Sequence, residues 1–568
     1  MSYKKFSALM LCLLFVITGC TNITDNPPIN PTPAPTEYPM IQKEDVDMLA
    51  EQWRMIEISF TASNQYKKPF FDVDMEVNFT ANDGTVLTMP AFWDGEQTWK
   101  VRFAPSKLGI WKYATSCNDQ TDSGLHNKTG TIGCNPYKGD LEIYKRGFLK
   151  NSENGRYFTY ADGTPFFYLG DTHWFMANEK FSTSNVEGIA SQFKYSVDLR
   201  VSQGYTVYQS EPLFADVKNE EDKYDLTSFS KEDLKGFANL DRKFQYVADK
   251  GLVHSNSQLI FAVNPYYQKG SYPEDYFRRL TKYWVARYGA YPVMWTTAQE
   301  IDKGFYGKFT ADDNPWLAVA DELYKRDPYK HPLTAHLEGG GGTLGPASIF
   351  NKQQGHSWFA LQIYPDYYND IVKSFWYLNP KKPIICYESG YEGIDKNTDD
   401  KYIRNMAYRA FLSGMYGYAY GAHGVWNDAY TEKDCGPLYL DTAGRFISWY
   451  EGTKMPGGAQ MTHLKTFFTS FDWYNLVPDF NNSIAFVSNA TSFAAASDKN
   501  NTYVAYLYSD DTKTGTFVGM ADQNYTAQWF NPRTGEYINI GQITPTNSKW
   551  KIPDRPDQND WVIKVTKA

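Results

Sequence analysis

Pro292-Val293-Met294-Trp295-Thr296-Thr297-Ala298-Gln299-Glu300 and Lys382-Pro383-Ile384-Ile385-Cys386-Tyr387-Glu388 are two short, largely apolar runs, each closed by a glutamate. Runs of this kind, preceded by amphipathic helices, are what parallel strands covered on both faces look like. In a β/α barrel the chemistry gathers at the carboxyl ends of such strands. A pair of acids there suits glycoside hydrolysis, in which one carboxyl protonates the leaving oxygen and the other attacks the sugar or activates water. Against this stands the ordinary fate of a glutamate, as a cap or a salt-bridge partner, in a chain with 65 acidic residues.

Outward from these two runs, the region from about 149 to 477 alternates strand-like runs with amphipathic stretches. Pro165 to Leu169 leads to Asp171, Gly204 to Gln209 to Glu211, Leu259 to Val263 to Asn264, and Pro292 to Ala298 to Glu300. His331 to Ala335 leads to His336 and Glu338, Phe359 to Ile363 to Tyr364, Pro383 to Tyr387 to Glu388, and Gly417 to Gly421 to His423 and Trp426. Eight strands, each followed by a polar or aromatic residue able to face one pocket, predict a (β/α)8 TIM barrel over 145–478. Between the strands, Ile189, Phe193, Val197 and Val201 trace a helical stripe, and Pro273 and Gly289 frame another that carries Tyr276, Leu280 and Trp284. The stretch Leu464, Phe467, Phe468 and Phe471 supplies the last helix.

The flanks read differently. In 42–144 the period falls to two, with Val73, Met75, Val77 and Phe79 on one face and Val101 and Phe103 repeating it, which predicts an immunoglobulin-like β-sandwich. Alternation returns after Pro478, as in Thr502 to Tyr508, so a second β-sandwich is expected over 479–568. At the other end, Lys4-Lys5, the apolar stretch Phe6 to Ile17 and Thr18-Gly19-Cys20 make residues 1–20 a lipoprotein signal peptide, with Cys20 as the lipidated residue. The proline-rich segment within 21–41 is a semi-rigid linker. The expected product is an exported protein tethered by lipid to the bacterial outer membrane, at its periplasmic or cell-surface face.

A net charge of −9, with no basic block beyond the extreme N-terminus, argues against a nucleic-acid partner, whose phosphates demand a Lys/Arg surface. Cys117 and Cys134 fall in one module and could close a disulfide in an exported protein, whereas Cys386 reads as a small core residue. There is no Cys-x-x-Cys pair and no His-Glu-x-x-His, so neither a structural zinc site nor a zinc protease is expected, and no cofactor. Glu388-Ser389-Gly390 lacks the Gly-x-Ser-x-Gly elbow of a serine hydrolase. Gly339 to Gly342 lacks the lysine ending of a phosphate loop and reads as a rim segment. Nothing in the sequence sets the oligomeric state.

Several separated motifs, in order, resemble the apiosidase-like catalytic domain of bacterial glycoside hydrolases. They are Phe166-Phe167-Tyr168-Leu169-Gly170-Asp171-Thr172-His173-Trp174, Trp284 to Pro292, Lys382 to Glu392 and Gly417 to Trp426. Phe92-Trp93-Asp94-Gly95 and Val101-Arg102-Phe103-Ala104-Pro105 resemble the immunoglobulin-like module that precedes that domain, and the C-terminal region resembles a module named for collagen binding. The resemblance implies a glycosidase of complex, plant cell-wall carbohydrate, with pectin apiosides suggested by the family name. In the wider clan of barrel glycosidases the acid/base ends strand four and the nucleophile ends strand seven, which implies Glu300 and Glu388 and a retaining mechanism. The clan places Asn before the acid/base, to bond the sugar 2-hydroxyl, where this chain has Gln299.

Asp171, His173, Trp174, Glu211, Asn264, Gln299, His336, Glu338, Tyr364, His423 and Trp426 are the expected substrate-binding residues. Tyr364 is the candidate to hold the nucleophile by a hydroxyl hydrogen bond, and Glu392 is expected to begin a helix. Each also has a plain structural reading, as packing or a satisfied buried polar group. A retaining pair stands about 5 to 5.5 Å apart and an inverting pair about 6.5 to 9.5 Å, which sequence does not measure. The competing class is a noncatalytic surface glycan-binding lipoprotein on a barrel of the same shape.

Overall fold

The structure is a computed structural model that describes residues 39–212, 229–257, 274–300, 315–338, 349–364, 368–434, 436–483, 485–488, 493–508 and 513–568. The signal sequence, Cys20 and most of the linker lie outside the described residues, as do Asn264, Gly339 to Gly342 and Cys435.

At the centre is the expected barrel. Its strands are β1 (Tyr168–His173), β2 (Val207–Ser210), β3 (Val253–Ser257), β4 (Val293–Thr296), β5 (Leu333–Thr334 continuing as His336–Glu338), β6 (Phe359–Gln362), β7 (Ile384–Glu388) and β8 (Gly417–Tyr420). Each pairs in parallel with the next, and β8 returns to β1 through Tyr168↔Gly417 to Asp171↔Tyr420. The fifth strand is interrupted at Ala335, its first half pairing with β4 and its second with β6, so its two pieces stand at the ends of the sheet order and close the ring.

Outside the strands lie α1 (Gln192–Ser202), α2 (Lys231–Asp249), α3 (Glu274–Tyr288), α4 (Pro315–Arg326), α5 (Tyr368–Trp376), α6 (Asp400–Leu412), α7 (Trp449–Thr453) and α8 (Pro456–Phe468). Ser191 and Asp399 cap α1 and α6 by accepting backbone N–H groups from Lys194 and Tyr402, which satisfies donors that a helix start leaves open. Phe193 and Val197 of the predicted stripe are buried, while Ile189 precedes α1; Phe471 likewise falls beyond the end of α8.

The third strand corrects the sequence reading. It runs over Val253–Ser257, six residues before the apolar stretch from Leu259 that had been expected to form it. Its polar side chains are buried because each finds a partner: His254 Nε2 meets Ser210 Oγ at 2.6 Å, and Trp284 Nε1 donates to Asn256 Oδ1 at 3.0 Å. Ser255 Oγ lies 3.2 Å from the Tyr387 hydroxyl, and Ser257 Oγ donates to Glu211 at 3.2 Å. A strand built this way carries no apolar signature.

The N-terminal module has a five-stranded sheet facing a three-stranded one, with Phe79 of the first stacked on Phe103 of the second at 3.9 Å. Cys117 and Cys134 are buried free thiols, which corrects the possible disulfide. They lie on neighbouring strands, but Cys134 pairs opposite Gly109, eight residues from Cys117. At ~3.3 Å per residue they are roughly 25 Å apart, far beyond disulfide reach.

Both flanking modules are keyed to the barrel by buried charge. Arg102 donates to Asp241 of α2 and to the Arg287 carbonyl, while Arg287 also reaches Asp94. On the other side a six-stranded and a three-stranded sheet form the C-terminal module, and its Asp560 takes two hydrogen bonds from Arg404 of α6, at 2.8 and 3.0 Å.

Candidate active site

Glu388 is the last residue of β7 and is 5% exposed. Both of its carboxylate oxygens are accepting hydrogen bonds. Gln299 Nε2 donates to Oε2 at 3.0 Å, and the Tyr391 hydroxyl donates to Oε1. The direction of the second bond is fixed by chemistry, because Trp174 Nε1 lies 2.7 Å from the Tyr391 oxygen and an indole N–H can only donate. The single proton of Tyr391 therefore points at Glu388. Burial and the Glu388 charge push the Tyr391 phenol well above its usual range, so that proton stays in place.

His336 of β5 brings Nε2 to 3.3 Å from Glu388 Oε2, but outside hydrogen-bond geometry, and among the described residues neither ring nitrogen has a hydrogen-bond partner. Burial lowers its pKa to about 3, so the ring is neutral and contributes no counter-charge. Glu388 thus accepts from an amide and a phenol and lies beside a neutral imidazole. A carboxylate held by neutral donors keeps its negative charge available to a developing cation.

Glu300 follows Gln299, whose side chain touches Glu388, so the ends of β4 and β7 are tied together at this point. It is 7% exposed, and its backbone has φ +50°, in the left-handed region that a residue with a Cβ enters at a cost of roughly 1–2 kcal/mol. Strain of this kind at a functional group persists only where surrounding structure fixes it.

An aromatic wall borders the carboxylate. Tyr391 stacks on Trp426 with centroids 4.8 Å apart and planes at 14°, and Trp426 Nε1 donates to His423 Nδ1 at 3.3 Å. The Trp174 ring lies 5.8 Å from His336 and 5.7 Å from Tyr387. Flat faces beside an acid suit the apolar faces of sugar rings. Among the described residues no group of three His, Cys, Asp or Glu side chains could hold a metal ion.

With this geometry in place, comparison with known proteins is informative. The family model described as "Apiosidase-like, catalytic domain" matches residues 152–475, more than half of the chain. The chain belongs to the apiosidase-like family. A domain of unknown function (DUF5060) matches 49–118, and the model named "Putative collagen-binding domain of a collagenase" matches 477–566. The apiosidase-like barrel and its flanks are similar to a "putative glycoside hydrolase" from Bacteroides vulgatus, with TM-score 0.68 and 17% identity over 92% of this chain and 100% of that one. A glycoside hydrolase family 5 structure from the same organism gives TM-score 0.59 and 20% identity over 76% of this chain and 95% of that one. At these identities the likeness is one of fold. No curated protein sequence matches the chain.

Of the residues expected from sequence, this apiosidase-like barrel links Trp174, Gln299, His336, Glu388, His423 and Trp426 through the contacts above. Glu211, 1% exposed, accepts from Ser257; burial raises the Tyr387 phenol, hydrogen bonds with Ser255 and Thr296 lower it, and the Glu211 and Glu388 charges raise it. Tyr364 is 39% exposed and lies 3.4 Å from Gln362 Nε2. Tyr391, on the loop after β7, places a phenol on Glu388, the role expected of Tyr364. Sequence reasoning passed over Tyr391, although its position three residues past Glu388 was the available signal. Gln299, expected on the sugar 2-hydroxyl, has its amide N–H on Glu388. Glu338 lies in β5, its side chain outside the described residues.

Asp171 and His173 are drawn into a different cluster. Arg200 Nε donates to Asp171 at 2.8 Å, and His173 meets Asp171 at 2.7 Å and Glu179 at 2.6 Å with its two nitrogens. Burial disfavours charge on both residues. Arg200 and His173 nonetheless hold Asp171 below its usual range, and Glu179 and Asp171 raise His173 to about 10. With both ring nitrogens taken, His173 has no donor left for substrate. Glu392 does not begin a helix in its own segment; it accepts from Gly457 in the first turn of α8 and from the Tyr420 hydroxyl.

Proposed function

We propose that this protein is a retaining glycoside hydrolase in which Glu388 is the nucleophile and Glu300 the general acid/base. The observation that carries the reading is that both oxygens of Glu388 accept hydrogen bonds from neutral donors, an arrangement that fits an ionised carboxylate at the end of β7. In the first step the Glu300 proton passes to the glycosidic oxygen, the C1–O bond breaks, and a Glu388 oxygen bonds C1. In the second, Glu300 takes a proton from water, the water oxygen bonds C1, and Glu388 leaves as the carboxylate. The family and the names of the similar structures support carbohydrate as the substrate, and the family name makes apiose-bearing pectin the first candidate.

A panel of plant cell-wall polysaccharides and aryl glycosides should yield reducing sugar with the full chain. Glu300→Gln and Glu388→Gln should each lose about 10²- to 10⁴-fold in rate. Azide should rescue Glu300→Ala to a glycosyl azide of retained configuration and Glu388→Ala to the inverted one. Full activity in either variant, exchanged configurations, or glycan binding with no release across the panel would overturn the assignment.

The Lys4-Lys5, apolar and Thr18-Gly19-Cys20 pattern supports export and lipid anchoring in the cell envelope. No helix among the described residues is long and apolar enough to cross a membrane. Cys20→Ala should move the expressed protein out of the detergent-soluble membrane fraction; unchanged partitioning would refute the anchor.

A further inference from the structure

Tyr391 is half-buried and held by several neighbours. Its ring stacks on Trp426, and it also borders Gly421, where an added Cβ would come within 2.4 Å of Tyr391 Cδ1. The segment that carries it is pinned to the end of β8: the Glu392 N–H donates to the Gly421 carbonyl at 2.9 Å, and the His423 N–H to the Glu392 carbonyl at 2.8 Å. These contacts restrict the ring, and the Trp174 indole fixes where its proton points. Its hydroxyl holds one oxygen of Glu388 while Gln299 holds the other, so the plane of the carboxylate is set from two sides. Orientation of a reacting group is a large source of rate, and a donor on a carboxylate favours its charged form.

We propose that Trp174 and Tyr391 form a positioning pair for the Glu388 carboxylate, with Trp174 acting only through Tyr391. This rests on reading Glu388 as the nucleophile. Trp174 follows β1 and Tyr391 follows β7, so the pair couples two strands of the barrel to the orientation of one side chain.

The test reads Glu388 directly. Infrared titration of the carboxyl band, isolated by subtracting the Glu388→Gln spectrum, needs no substrate. In Tyr391→Phe the Glu388 pKa should rise by about one unit, the worth of a hydrogen bond to a charged group. Trp174→Phe should raise it less, and the double variant should match Tyr391→Phe alone. The acid limb of kcat/KM on a hydrolysed substrate should move the same way, with kcat falling more than KM changes. Should Trp174→Phe fail to fold, Tyr391→Phe alone decides. An unmoved Glu388 titration in Tyr391→Phe would overturn the positioning role, and additive shifts in the double variant would overturn the claim that Trp174 acts through Tyr391. If Glu388→Gln kept wild-type activity, the nucleophile reading itself would fall, whatever the titration showed.

Discussion

Asp171 and Glu388 sit on strands of the same barrel and are almost equally buried, at 2% and 5% exposure. The partners named above differ in charge. Asp171 faces the Arg200 guanidinium and a protonated His173, which is itself shared with Glu179. Glu388 accepts from an amide and a phenol and lies beside an imidazole that burial keeps neutral. Burial at a barrel strand therefore does not by itself mark a working acid. Cations turn a carboxylate into part of the scaffold, whereas neutral donors leave it an anion that can stabilise positive charge on a substrate.

The largest effect that could break this contrast lies on the scaffold side. Arg200→Met leaves Asp171 buried beside Glu179 with one cation removed, and should cost about 3–5 kcal/mol of stability. Chemical denaturation would show it as a lowered midpoint, while activity per folded molecule stays near wild type. Gln299→Leu should do the reverse: a rate loss of about 10- to 100-fold, from about 1.5–3 kcal/mol of lost hydrogen bonding to a charged group, with little change in midpoint. If the two variants exchanged these signatures, the distinction between cluster and site would be wrong.

A smaller and sharper effect is the pH dependence of stability. His173 titrates at about 10 in the fold, above its unfolded value near 6.5, so the native state holds a proton that the unfolded chain has lost. Its contribution is complete below about pH 6.5 and declines as pH rises toward 10, at about 1.4 kcal/mol per unit. His336, at about 3, behaves oppositely: its contribution is complete above about pH 6.5 and is lost as pH falls toward 3. His173→Gln should flatten the alkaline limb of a denaturation-midpoint profile and His336→Gln the acid limb. Unchanged limbs would contradict the assigned charges.

What the sequence disclosed follows the same physics. Ile384 to Tyr387 and Val293 to Trp295 announced their strands because both faces of each are apolar and buried. The polar β3 was hidden, since its burial depends on partners from β2, α3 and β7 that only the closed barrel supplies. The two glutamates could be picked out by their place after apolar runs. Asp171 had the same appearance, and its pairing with Arg200, 29 residues later, and with His173 emerges only in the folded barrel. For Tyr391 the spacing from Glu388 was a weak signal by itself, because the placement of its ring depends on Gly421 and Trp426 at the end of β8 and beyond.

The backbone at Glu300 has one further implication, for how the barrel can change over time. A chain selected for robustness alone would place glycine at 300, where φ +50° carries no Cβ penalty, and would be the sturdier for it. A carboxylate at that position means the molecule gives up part of its safety margin at one residue. On the role proposed for Glu300, drift toward a glycan-binding descendant would be expected to begin at that codon.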